Sequence, residues 1–182
     1  MPALTSKPGN ALGALARLYF DIAIWRRGPA DVPGVPVLLW LTVAVYAAVT
    51  ALLSAALQLP RSWPRELAVD VAYMLAWVWL LLRATGHRER FLQTASAVFG
   101  FQLVLAPLMV GVSALVPQHP APGDPQLLVQ IATLLLSIWI VLATAHIARA
   151  ALDWPLAACV PLAIFLFLAE QLLLQALFYT GS

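Results

Sequence analysis

Arg83-Ala84-Thr85-Gly86-His87-Arg88-Glu89-Arg90 is a compact basic loop that feeds straight into an apolar stretch reaching Gly111. From Phe91 onward no Lys, Arg, Asp or Glu occurs until Asp124. An apolar stretch of that length is a candidate transmembrane helix, and arginines at its mouth resist crossing a bilayer. The loop therefore fixes one side of the membrane for both helices that flank it. The topology of the remaining chain follows from that side.

Composition supports a membrane setting. Of the 182 residues, 63% are hydrophobic and 10% charged, against about 25% charged in an ordinary soluble domain. A surface with so little charge cannot be solvated by water, so the chain reads as one compact integral membrane domain. The net charge of +2 comes from nine Arg and one Lys. A basic excess in this setting suits anionic lipid headgroups. No dense Lys/Arg stretch with interleaved aromatics is present to hold nucleic acid. Heavy use of Ala, Leu, Arg and Pro points to a bacterial source. Cys159 is the single cysteine; it lies in an apolar run, where a thiol acts as a small inert hydrophobe and no internal disulfide can form.

Taken in order, the chain predicts an all-α protein of five spans preceded by an amphipathic helix. Residues 1–36 form the N-terminal segment and 37–182 the transmembrane domain. Within the first, residues 1–10 are expected to be poorly ordered. Leu15, Leu18, Ile22 and Trp25 then share one helical face, with Tyr19 beside it, while Arg17 and Asp21 lie four apart where they can pair. That pattern predicts a helix lying in the membrane interface, anchored at its end by Trp25, Arg26 and Arg27, or else a surface helix packed on the bundle. Gly and Pro between Gly28 and Pro36 then forbid a continuous helix. Spans follow at about 37–59, 67–82, 91–116, 126–147 and 155–178. Pro60 to Pro64 turns the chain, and Pro117 to Pro125 is expected to form an exposed loop. Ala95, Gly100, Pro107, Gly111 and Ala114 allow close helix approach, which makes the third span the expected central helix.

Positive charge sets the orientation. Lys7, Arg17, Arg26, Arg27, Arg83, Arg88, Arg90 and Arg149 fall on one side, and only Arg61 and Arg65 on the other. That bias predicts a cytoplasmic N-terminus and an external C-terminus in a bacterial inner membrane.

No complete catalytic or metal-binding arrangement is present: there is no phosphate loop, H-E-x-x-H, cysteine pair or G-x-S-x-G. The chain is therefore expected to be no enzyme and to need no cofactor. Asp70 and Glu170 are the charged groups inside spans, where insertion costs at least about 2.5 kcal/mol each and such groups face the bundle interior. Topology places Asp70, Gln126, Gln130, Glu170 and Gln175 at one depth. In the fourth span Gln126, Gln130, Thr133, Ser137 and Thr144 share a face. This set reads either as a polar vestibule that binds a proton or cation, or as hydrogen bonding that holds the bundle together. Arg26, Arg27, Arg83, Arg88 and Arg90 form the candidate cytoplasmic contact surface.

Gly86-His87-Arg88-Glu89-Arg90-Phe91-Leu92-Gln93-Thr94, continuing to Ala106-Pro107-Leu108, resembles the Yip-type (Ypt-interacting-protein) family. The junction from Ser137-Ile138-Trp139 through Arg149-Ala150-Ala151-Leu152 is similar too, and the resemblance covers roughly residues 35–180. It implies a five-span fold with a cytoplasmic N-terminus. Eukaryotic members are membrane-traffic proteins that bind Rab-type GTPases, and the family supplies no catalytic residues. The expectation is a non-enzymatic inner-membrane protein that binds membrane-protein partners or itself, or organises lipid. The alternative is a small transporter or proton-coupled component using Asp70 and Glu170.

Overall fold

The computed structural model describes residues 8–56, 62–114 and 126–178. Six helices appear among them: α1 (Pro8–Ala23), α2 (Pro36–Ala56), α3 (Trp63–Ala84), α4 (Phe91–Ala114), α5 (Gln126–Leu152) and α6 (Leu156–Phe178). Two short 3-10 turns, Pro29–Asp31 and Arg88–Arg90, precede α2 and α4. Five helices, α2 to α6, are long and apolar enough to cross a membrane. Large apolar side chains such as Val37, Leu52, Leu127, Leu134, Phe165 and Leu172 face outward from them. A belt of that kind is stable against lipid, not water. The chain is a multi-pass membrane protein.

Two span boundaries differ from the sequence expectation. The second span starts at Trp63, because Pro64 occupies the first turn, where a missing N–H costs nothing. The fourth runs on to Leu152, taking Arg149 into the helix and not into a connecting segment. The expected turn at Pro60–Pro64 lies partly, and the Pro117–Pro125 loop wholly, outside the described residues.

α4 is the hub. Half of its Arg88–Met109 window is buried within the protein, against 11–22% for the other four spans. It packs on α1, α2, α3 and α5, while α6 rests on α5 and α3. Ala95, Ala97, Phe99, Phe101 and Leu105 are all buried along it. Small side chains let neighbours approach the backbone, and the two phenylalanines fill the space between.

The N-terminal helix packs on the bundle, the second of the two arrangements its pattern allows. Tyr19, Ile22 and Ala23 are buried at 6%, 0% and 0% exposure, so α1 is wedged onto the bundle. The Tyr19 ring lies against Gly100 of α4, where any Cβ would collide with it. Its hydroxyl is 2.9 Å from Thr42 Oγ1 on α2. Burial pushes the Tyr19 phenol above its ordinary pKa, an effect partly offset by Thr42. Trp139 Nε1 of α5 donates to the Ala23 carbonyl at 2.9 Å, satisfying a group that the helix end leaves open. His146 Nε2 donates to the Arg27 carbonyl at 3.0 Å.

Helix ends explain two further departures. α1 closes with a Schellman turn: Arg26 N–H donates to Asp21 O at 2.8 Å and Trp25 N–H to Ile22 O at 3.0 Å. Trp25 takes a left-handed φ of 62° there, which swings its indole off the buried face and leaves it 47% exposed. The same turn brings Arg27 back to Asp21 at 3.7 Å, so Asp21 pairs with Arg27 and not with the expected Arg17. α3 ends in a similar way, with His87 N–H on Leu82 O at 2.8 Å and Gly86 at φ +82°.

Candidate functional site

Asp70 enters from α3 and Glu170 from α6. Counting from Trp63 and back from Phe178, each lies about 10–12 Å inside the end of its helix, at matching depth. The two carboxyls line the same cavity, close enough to interact. Tyr46 of α2 donates from its hydroxyl to Asp70 Oδ2 at 2.6 Å. Its ring is held edge-on to Phe99 of α4, with centroids 5.5 Å apart and planes at 60°. Tyr73, one turn on from Asp70, donates to the Leu166 carbonyl at 2.7 Å and ties α3 to α6. The pair is thus fixed by three helices, with a fourth supporting the tyrosine.

The carboxyls do not meet in a sealed core. They line a cavity of about 420 Å³ to which all five spans contribute: Tyr46, Thr50 and Ser54 from α2, Asp70 from α3, Gln102 from α4, Thr133 and Ser137 from α5, and Phe167, Glu170 and Gln171 from α6. Thr133 and Gln171 are exposed, so the cavity reaches the bundle surface. Thr133 Oγ1 donates to Val129 O and Ser137 Oγ to Thr133 O, each at 2.9 Å. Their hydrogens are spent on their own helix, which leaves lone pairs free. A second cavity of about 30 Å³, the volume of one water, shares Gln102, Ile140, Phe167 and Glu170 with the first and continues to Thr144.

Of the residues expected from sequence, the structure brings together Asp70 and Glu170. Gln130 and Gln175 share their depth but are exposed and line neither cavity. The Gln126 side chain lies outside the described residues. Thr133 and Ser137 line the larger cavity and Thr144 the smaller. Sequence reasoning missed Tyr46 and Gln102. Both carried a signal, since a phenol or an amide in mid-span needs a partner in a medium that offers none. Among the described residues, no group of three His, Cys, Asp or Glu side chains could hold a metal ion.

The basic surface is largely engaged in holding the fold. Arg90 Nη1 is 2.7 Å from Asp153 Oδ2 and donates to the Ala151 carbonyl at 3.1 Å, capping the C-terminus of α5. Asp153 has φ 56°, the left-handed cap position, and His87 Nε2 is 3.6 Å away. Arg83 stacks over the Trp79 ring at 4.9 Å, and Arg27 pairs with Asp21. Arg26 and Arg88 are exposed. Comparison with protein-family models, with curated proteins and with solved structures returned no match.

Proposed function

We propose that the chain is a non-enzymatic, proton-coupled component of the membrane, in which Asp70 and Glu170 load and unload a proton at the wall of the five-helix cavity. The observation that carries this reading is the cavity itself. Polar groups serving only to hold helices together would draw the bundle closed around them, because each interhelical bond in lipid contributes only about 0.6–2 kcal/mol and voids forfeit packing. Here the carboxyl pair instead borders a space of about 420 Å³.

On the same reading the basic end, with Arg26, Arg27, Arg83, Arg88, Arg90 and Arg149, belongs in the cytoplasm of a bacterial inner membrane, by the positive-inside rule. The Yip-type resemblance contributes no residues to the site. A role as a partner-binding or membrane-organising protein draws on the same arginines, and Arg90, Arg83 and Arg27 are already occupied within the fold.

The test is infrared-detected titration of the purified protein in nanodiscs. The expected result is a protonated-carboxyl band that titrates in the wild type and is lost in Glu170→Gln. A wild type without any titrating carboxyl band overturns the reading.

A further inference from the structure

Resting on that proton-binding reading, we propose that the cavity takes an organic monocation, an ammonium or guanidinium compound with an apolar body, and exchanges it for a proton. Four features of the wall specify this class.

Among the described residues, no Lys, Arg or His lines the cavity, so nothing there neutralises an anion. The polar part of the wall is rich in acceptors: two carboxyls, plus the oxygens of Thr133 and Ser137, whose hydrogens are committed to helix carbonyls, beside the amides of Gln102 and Gln171. A donor-rich cation pairs with these acceptors and balances carboxylate charge, which a neutral or anionic solute does not. The volume of about 420 Å³ equals roughly a dozen waters, too large for a bare ion and suited to a small organic molecule. Finally, the rings of Tyr46 and Phe167 and the side chains of Leu53, Met109 and Ile140 supply apolar and π surface for the body of the ligand.

Charge balance sets the stoichiometry. A pair holding two protons is neutral. A pair holding one proton and one monocation is neutral as well. In a medium where an unpaired charge costs several kcal/mol, these are the two favoured states, and one cation replaces one proton. The proton leaves one carboxyl for bulk water as the ammonium takes its place, and no covalent bond other than that O–H is broken. The other titratable groups facing the pair are the phenols of Tyr46 and Tyr73, which donate to Asp70 and to the Leu166 carbonyl.

The experiment uses the full-length protein in nanodiscs, with empty nanodiscs as the blank. Three near-isosteric probes are titrated against tryptophan fluorescence: phenethylamine, 2-phenylethanol and phenylacetate. Phenethylamine is expected to bind at least tenfold tighter than either of the others, releasing about one proton per amine in weakly buffered solution. Asp70→Asn is expected to weaken the amine at least tenfold and to leave the alcohol unchanged. Equal affinity for amine and alcohol overturns the proposal, and so does binding without proton release. The probe series is read on unmodified protein, so the result does not hang on whether a variant folds. If the carboxyl band titrates while the amine shows no preference, this proposal falls and the proton-binding reading stands. If the band is absent, both fall.

Discussion

Replacing Gly100 with Ala tests how α1 is held. The added methyl falls where the Tyr19 ring already lies, between α4 and α2. Tyr19 is 6% exposed and its hydroxyl is tied to Thr42, so turning the ring aside into the neighbouring apolar cavity breaks that bond. Either the ring is displaced from its place or α1 lifts away from α4. Overpacking of this kind costs about 1–3 kcal/mol, and the lost hydrogen bond adds about 1 kcal/mol. The better helix propensity of alanine returns about 1 kcal/mol. The net loss is about 1–3 kcal/mol, on the order of 5 °C in thermal midpoint for a chain of this size. Cys159, the sole cysteine and fully buried, supplies the readout through a thiol-reactive fluorogenic maleimide during heating. Gly100→Ala is expected to lower the midpoint in the wild-type background and to be harmless in a Tyr19→Ala background, where the ring is gone. An equal drop in both backgrounds, or no drop in the first, refutes the wedge.

Two further substitutions probe the ends of the bundle and the site. Arg90→Ala removes the clamp on the last turn of α5 and should cost about 1–3 kcal/mol, with Arg90→Lys intermediate because it keeps the charge without the fork. Faster amide hydrogen exchange in that turn checks it, and unchanged exchange means the clamp does not hold the helix end. Tyr46→Phe deletes the donor to Asp70 Oδ2 and should cost about 1–3 kcal/mol while shifting the carboxyl infrared band. A band that does not move would show that the phenol does not act on the pair.

The spans are legible from apolar length alone, because the bilayer imposes one thickness on every helix. Depth is legible as well, since counting residues from the end of each span puts Asp70 and Glu170 at one level. Azimuth is not. Gln175 lies five residues beyond Glu170, about 140° around the helix, and looks away from the cavity. Tyr46 and Gln102 face inward only because packing of α2 and α4 against their neighbours sets each helix's rotation. Where α1 docks is hidden for a similar reason. Its charged face reads as interfacial, while the cause of its docking is the missing side chain at Gly100, far along the chain, with no local trace.

That dependence of α1 on α4 imposes an order on assembly. Tyr19 leaves the ribosome well before Gly100 does, by on the order of ten seconds at about 5–20 residues per second. Until α4 has been synthesised and inserted, the groove that receives Tyr19, Ile22 and Ala23 does not exist. The earliest made of the described helices is therefore among the last to reach its place. Its charged outer face, with Arg17 and the Arg26–Arg27 pair, gives it somewhere to wait at the lipid headgroups in the meantime.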